Sequence, residues 1–344
     1  MSKLTFFVGL MLLAGSVGAQ EAAGPYHLGS IFKVGGTGAW DFLTVDADRK
    51  LLYVPRSSHT MVLEESTGKQ VADIPGQKKN HGVAIVPELN RGFITDGGDA
   101  CVYIFDTKTN EILGKVAAKE DADGIIYDPS TKKLLVVCGD AGVLIPISPD
   151  VDPKTGKADE AIDLGGKPEF LATDGAGHVY IDLVDKDQVA VVDTKTWKVT
   201  DHWPVAPGGS PVGMAMDTEH HRLFIGCRKP QKMIVISSED GKVIADLPIG
   251  AGVDATVFDP GTGCALASCR DGTLTAIKES SPGKFEVVQT VTTKTGARTM
   301  GLDPKTHAIY LPTAEFLPAQ GKSRPAAKPD SFMIVVVEAG KGEK

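Results

Sequence analysis

The stretch RKLLYVPRSSHTMVLEESTGKQVADIPG, residues 49–76, holds three short apolar runs, at 51–55, 61–64 and 71–74. Ser, Thr and Gly separate them, the residues that favour tight turns. Alternating apolar runs of this length between turn signals predict β-strands. Three strands cannot bury a face by themselves, so the reading turns on whether the unit recurs.

It recurs seven times. We align each unit on the residue that closes its first strand. Asp46 in DADRKLLYV is then matched by Val86 in VPELNRGFI, Asp128 in DPSTKKLLV and Asp174 in DGAGHVYI. Asp217 in DTEHHRLFI, Asp259 in DPGTGCALA and Asp303 in DPKTHAIYL complete the series. The anchors stand 40, 42, 46, 43, 42 and 44 residues apart. A period near forty with about four short strands per unit is the pattern of propeller blades. The turns agree: DTKT recurs at 106 and 193, and STGK and EDGK fill the same place in units one and five. After the N-terminal lead no segment keeps a 3.6-residue apolar period, so helices are not expected.

The seventh unit stops after its third strand, SFMIVVVE, while HLGSIFKVGG at 27–36 reads like the fourth strand of the others. Pairing the two termini would close the ring and remove its open edges. The expectation is an all-β, seven-bladed β-propeller with four-stranded antiparallel blades, closed by the N-terminal strand completing the last blade. Blades are expected near 37–76, 77–120, 121–166, 167–208, 209–251, 252–294 and 295–338 plus strand 28–34. They form one domain over 20–340, followed by a tail at 341–344.

LLYVPRSS, GFITDGGD, VYIDLVD, LFIGCRK and IYLPTAE resemble the tyrosine-valine-threonine-asparagine motif of the YVTN-repeat propellers, the YncE-like proteins. SPVGMAMDTEHHRLFI is similar to that family's Pro-x-Gly lead into a first strand. The resemblance runs from about Tyr26 to Glu338 and implies the propeller fold and an exported protein. Some members are similar to DNA-binding or surface proteins, so it also raises single-stranded nucleic-acid binding. The motif's final Asn is replaced in every blade, by Arg56, Asp96, Cys138, Leu183, Cys227, Cys269 and Thr313.

Composition narrows the partners. The 344-residue chain carries a net charge of −8 and 6% aromatic residues, so both a basic footprint and a base-stacking surface are missing. That argues against nucleic acid. Lys3, the apolar run LTFFVGLMLLAGS and the small residues VGA predict a secretory signal over 1–19, cleaved after Ala19. The run is short for a transmembrane span, so the mature chain is expected to be periplasmic or secreted, without a membrane span, and a monomer. Five cysteines lie outside any C-x-x-C spacing; buried free thiols are expected, with one disulfide bridge as the alternative.

In propellers the first strand of each blade lines the central channel. Five residues before each anchor, at the channel mouth, stand Asp41, His81, Asp123, Glu169, Val212, Asp254 and Arg298, six of them ionisable. Trp40 adjoins this ring, and Arg56 is taken with it as a ligand-binding candidate. Two readings stand. The side chains are solvated at an open mouth, where polar loops are ordinary. Alternatively they face one another and raise each other's pKa until a cation relieves them. An oxygen-rich set suits Ca²⁺ or Mg²⁺, and His81 would admit zinc or manganese, with Asp123, Glu169, Asp254 and His81 as ligand candidates. No cofactor is required by the first reading.

Three functions follow. The leading one is a non-catalytic exported scaffold that meets a protein, glycan or small ligand at its channel face. The alternative is a metal-dependent hydrolase, lactonase or lyase, with the metal polarising a carbonyl, Asp123 or Asp254 as base and Arg298 steadying an anion. Single-stranded nucleic-acid binding comes third. A long Pro- and Ala-rich insertion at 317–330, LPAQGKSRPAAKPD, falls on the same face as a lid, a partner contact or a tolerated loop. GGTG at Gly35 and GDAG at Gly139 precede strands rather than helices, so they are not phosphate loops. EHHR at Glu219 sits in a turn on the opposite face.

Overall fold

The structure is a computed structural model that describes residues 24–319 and 324–340. The expected signal at 1–19 with its cleavage after Ala19, and the tail at 341–344, lie outside the described residues.

Seven four-stranded antiparallel sheets follow one another. Six pair in simple chain order; the second, for example, runs Asn80–Val86, Arg91–Asp96, Cys101–Asp106 and Ile112–Ala117. The seventh takes Gly301–Leu302, Ile309–Thr313 and Met333–Ala339, and then Tyr26–Lys33 as its outer strand. That last pairing is antiparallel, from Tyr26 opposite Ala339 to Lys33 opposite Met333. The first strands of neighbouring blades touch all the way round, the seventh against the first included. The chain is an all-β, seven-bladed propeller. Among the described residues no helix is long and apolar enough to cross a membrane.

The second and third strands of each blade lie between neighbouring sheets and are buried nearly end to end, as in Leu51–Pro55 and Cys264–Cys269. Fourth strands form the rim; along Gln70–Pro75 only Ile74 is buried. The core is therefore a ring of sheet-on-sheet seams. Between blades one and two, Tyr53 meets Phe105 at 5.5 Å between ring centroids, packed with Val83 and Ile94. All five cysteines are buried and free within such seams.

The recurring Asp anchors have a local cause. Asp128 accepts the backbone N–H groups of Ser130 and Thr131 and both their hydroxyls, which fixes the turn into the second strand. Asp174 does the same with Ala176, Gly177 and His178, and Asp303 with Lys305 and Thr306. Carboxylates that mimic a backbone turn are the reason Asp suits this position. Blade two, whose anchor is Val86, substitutes a 3₁₀ turn at Pro87–Leu89.

Candidate functional site at the channel mouth

The first strands converge at one end of the channel, and the residues just ahead of them face each other there. His81 places Nδ1 2.7 Å from Asp41 Oδ2 and 3.5 Å from Asp123 Oδ1, while its Nε2 is 4.0 Å from Asp121. These side chains come from blades one, two and three. Their ligand atoms lie within 4.8 Å of one another in the Asp41, His81 and Asp123 set. The side chains of His81 and Asp123 are only 12% and 14% exposed, so they are not the solvated groups of an open mouth. Asp123 Oδ1 and His81 Nε2 are buried without a hydrogen-bond partner.

Electrostatics follow from that crowding. Burial pushes the Asp123 carboxyl well above the usual range; His81 pulls it back, and Asp41 and Glu169 push it up again. Burial also raises Glu169, with Asp41 adding to the rise and Arg228 opposing it. Burial disfavours a charged His81, yet its hydrogen bond to Asp41 and the charges of Asp123 and Asp41 outweigh that, pushing it up to about 9. Asp121 lies just outside, held by Lys79 at 2.7 Å and within 3.9 Å of Lys167.

The other side of the mouth is cationic. Asp254, almost fully buried, is gripped by Arg228 and Arg298. Arg228 also donates from Nε to the Val253 carbonyl and reaches to 4.0 Å from Glu169. Arg298 closes the circle by donating to the Trp40 carbonyl at 3.4 Å. Arg270 follows the motif of blade six, its backbone bonded to Gly252 and Gly296. Among the described residues it has no carboxylate partner.

Beneath the ring, Phe42 of blade one meets Phe170 of blade four across the channel, centroids 4.9 Å apart. The mouth is thus a polar cup over an aromatic floor. Hydroxyls lock its wall: Thr95, the threonine of the blade-two motif, donates to the Asp123 carbonyl, and Ser268 at the same position in blade six donates to the Arg298 carbonyl. In these two blades the hydroxyl at the motif's threonine position therefore ties a ring residue to the blade before it. In blade four this position is Asp182, fully buried, with Oδ1 accepting from Glu169 and Phe170 and Oδ2 unpartnered. Burial is the main reason its carboxyl rises to about 7; the backbone donor at Phe170 opposes the shift and Glu169 adds to it.

Of the residues singled out from sequence, Asp41, His81 and Asp123 come together, while Glu169, Asp254 and Arg298 join them through Arg228. Val212 is buried in the wall. Trp40 packs on Phe332 at 5.7 Å and on Phe316, at the root of the insertion, at 6.1 Å. Arg56 stands apart, 1% exposed, with its guanidinium donating to the Gly35, Gly38 and Ala39 carbonyls and lying over Phe332. This explains GGTG: a Cβ on Gly38, at φ +97, would stand 2.3 Å from the Arg56 carbonyl oxygen. The described part of the insertion folds back on itself, Phe316 bridging Ala327 and Lys328 pairing with Glu315. Asp330 accepts from the Gly36 N–H.

Sequence reasoning missed Arg228 and Arg270. They occupy one column, the residue after the motif, in adjacent blades, and reading that column would have found them. Phe42, Phe170 and Asp182 were hidden because nothing in spacing shows which rings meet across a channel. A separate cleft of about 670 Å³ opens on the opposite face between blades five and six, over Phe224 and Phe258.

No family model matches the chain. It is 21% identical over 237 residues to the protein YncE of Salmonella typhimurium, itself described as uncharacterized. The match spans 68% of this chain and 59% of the relative's length. Together with seven blades and the recurring motif, the match fits a resemblance to the YncE-like propellers. A solved structure of hydrazine synthase from Kuenenia stuttgartiensis superposes with a TM-score of 0.68 at 14% identity. It covers 88% of this chain and 96% of the other, a likeness of fold alone.

Proposed function

We propose that this chain is an exported binding propeller that captures a small charged ligand in the cup at its channel mouth. The observation that carries the reading is Asp123. Its buried Oδ1 lacks a hydrogen-bond partner, and the one cation beside it, His81 at 3.5 Å, is itself bonded to Asp41, while Asp41 and Glu169 add like charge. A buried carboxylate in that position is costly unless a cation meets it. The cationic part of the ligand, a divalent metal ion such as Ca²⁺ or Mg²⁺ or an organic ammonium, sits against Asp41, Asp123 and Glu169. Export rests on the lead segment at 1–19.

The test is thermal unfolding of the dialysed protein with Ca²⁺, Mg²⁺, Mn²⁺, Zn²⁺ and ethylammonium in turn, paired with elemental analysis. At least one cation raises the midpoint of the wild type, and the shift disappears in Asp123→Asn. If no cation shifts the wild type, the reading is wrong.

A further inference from the structure

The cationic wall of the cup holds more charge than its own carboxylates neutralise. Arg228 and Arg298 share one acid, Asp254, which lies beneath them almost fully buried. Arg270 is fixed beside them. Its N–H bonds to the Gly252 carbonyl and its carbonyl accepts from Gly296, so it stands between the lead-in segments of blades six and seven. It is half-buried, and no carboxylate is among the charges that act on it. Its surroundings are cationic: burial first, then the guanidiniums of Arg324 and Arg228, press its pKa down. Guanidiniums gathered without a counter-charge make a site for a planar anion, because each offers paired N–H donors matched to a carboxylate.

The acidic wall is close. Arg228 lies 4.0 Å from Glu169, and Arg298 donates to the carbonyl of Trp40, the neighbour of Asp41. A ligand of only a few atoms therefore spans both poles. Lone cations would leave the arginines unanswered, and lone anions would leave Asp123 unanswered.

We propose that the cup takes a small zwitterion, with its carboxylate on Arg270 and Arg228 and its ammonium on Asp123, Asp41 and Glu169, as an α-amino acid or a betaine would present them. This rests on the binding reading above and assigns its ligand class. Recognition is non-covalent, and the Phe42–Phe170 floor meets the ligand's carbon body.

The experiment is isothermal titration with three probe sets: the common α-amino acids with glycine betaine, ethylammonium alone, and propionate alone. The best zwitterion binds at least about tenfold tighter than either half-probe, since two poles act in one molecule. Arg270→Gln weakens the zwitterion and propionate by about tenfold or more while ethylammonium binding is unchanged. Arg270→Lys serves as a second variant if Arg270→Gln does not fold: it keeps the charge, loses the paired donors and weakens propionate in the same direction. Zwitterions that bind no tighter than ethylammonium would overturn the proposal while leaving cation capture standing. Equal zwitterion affinity in wild type and both variants overturns it as well. Binding of none of the probes, with no metal shift, removes both readings together.

Discussion

In blades one, three and six the innermost segment carries an aspartate at each tip, five residues apart: Asp41 and Asp46, Asp123 and Asp128, Asp254 and Asp259. The residue type and burial are alike, and the consequences differ. Asp128 sits in a turn of its own making and accepts four donors from the next three residues. Asp123, at the mouth, has no local donor, and everything that answers its charge comes from other blades. The far tip is a local device repeated to shape turns. The mouth is where seven repeats meet, and where identical residues can be left unsatisfied. Unsatisfied charge in one repeat of an otherwise satisfied pattern is what a binding site looks like in a propeller.

The comparison breaks most visibly if a far-tip acid is removed. Asp259 is fully buried and accepts from Gly261 N–H, the Thr262 hydroxyl, the Tyr26 hydroxyl and His307 Nδ1. Tyr26 begins the strand that closes the ring, and Gln289 of blade six clamps its backbone N–H and carbonyl as well. Asp259→Ala should cost about 4 kcal/mol in urea unfolding, because it strands several buried partners at once. A loss under about 1 kcal/mol would mean the closing strand is not anchored there.

Next in size is a pH effect at the mouth end. The Asp182 carboxyl, raised to about 7 in the fold, is protonated there at a pH where the unfolded chain has already ionised. The folded state therefore holds the extra proton between about pH 4 and 7, and stability falls as pH rises through that window. The amplitude attributable to Asp182 should be at most about 4 kcal/mol, and Asp182→Asn should flatten that part of the profile. Urea midpoints taken at half-unit pH steps decide it. A slope of the opposite sign that vanishes in the variant would mean the carboxylate is stabilised rather than strained.

The fold was legible because a propeller repeats its local signals: a turn acid closes six of the seven first strands, and apolar strands recur in every unit at a period near forty. The ring of Asp41, His81, Asp123, Glu169, Asp254 and Arg298 was legible for the same reason, as one column of that repeat. Its pairing was not. Which acid meets which base depends on side-chain reach across the channel, and Arg228 and Arg270 enter from a different column. Arg56 shows the converse. It fills the motif's Asn position with a charge, which looks functional in sequence, yet the Gly35–Ala39 turn wraps its guanidinium in carbonyls.

Smaller again is the cost of Asp123 itself. Replacing it with Asn keeps the shape and removes a charge that burial and two neighbouring carboxylates oppose. Asp123→Asn should raise the stability of the ligand-free protein by about 1 to 2 kcal/mol while abolishing the cation-dependent thermal shift. The matched change at the far tip, Asp128→Asn, should lower stability, since it exchanges an acceptor for donors against the Ser130 and Thr131 N–H groups. If both variants move the same way, the two tips are not different in kind.

The smallest expected effect tests how the mouth is held in place. Thr95 Oγ1 accepts from the Gly82 N–H at 2.9 Å and donates to the Asp123 carbonyl, so one hydroxyl joins blades two and three beneath the acidic pole. Valine has nearly the same shape. Thr95→Val therefore removes the link without leaving a cavity, exposing one buried donor and one buried acceptor, for about 1 kcal/mol. Serine keeps the hydroxyl, and Thr95→Ser should retain most of the cation affinity that Thr95→Val loses. A valine variant that binds cations as tightly as wild type would show that Asp123 is placed by its strand alone, and that the motif threonine serves the fold and not the site.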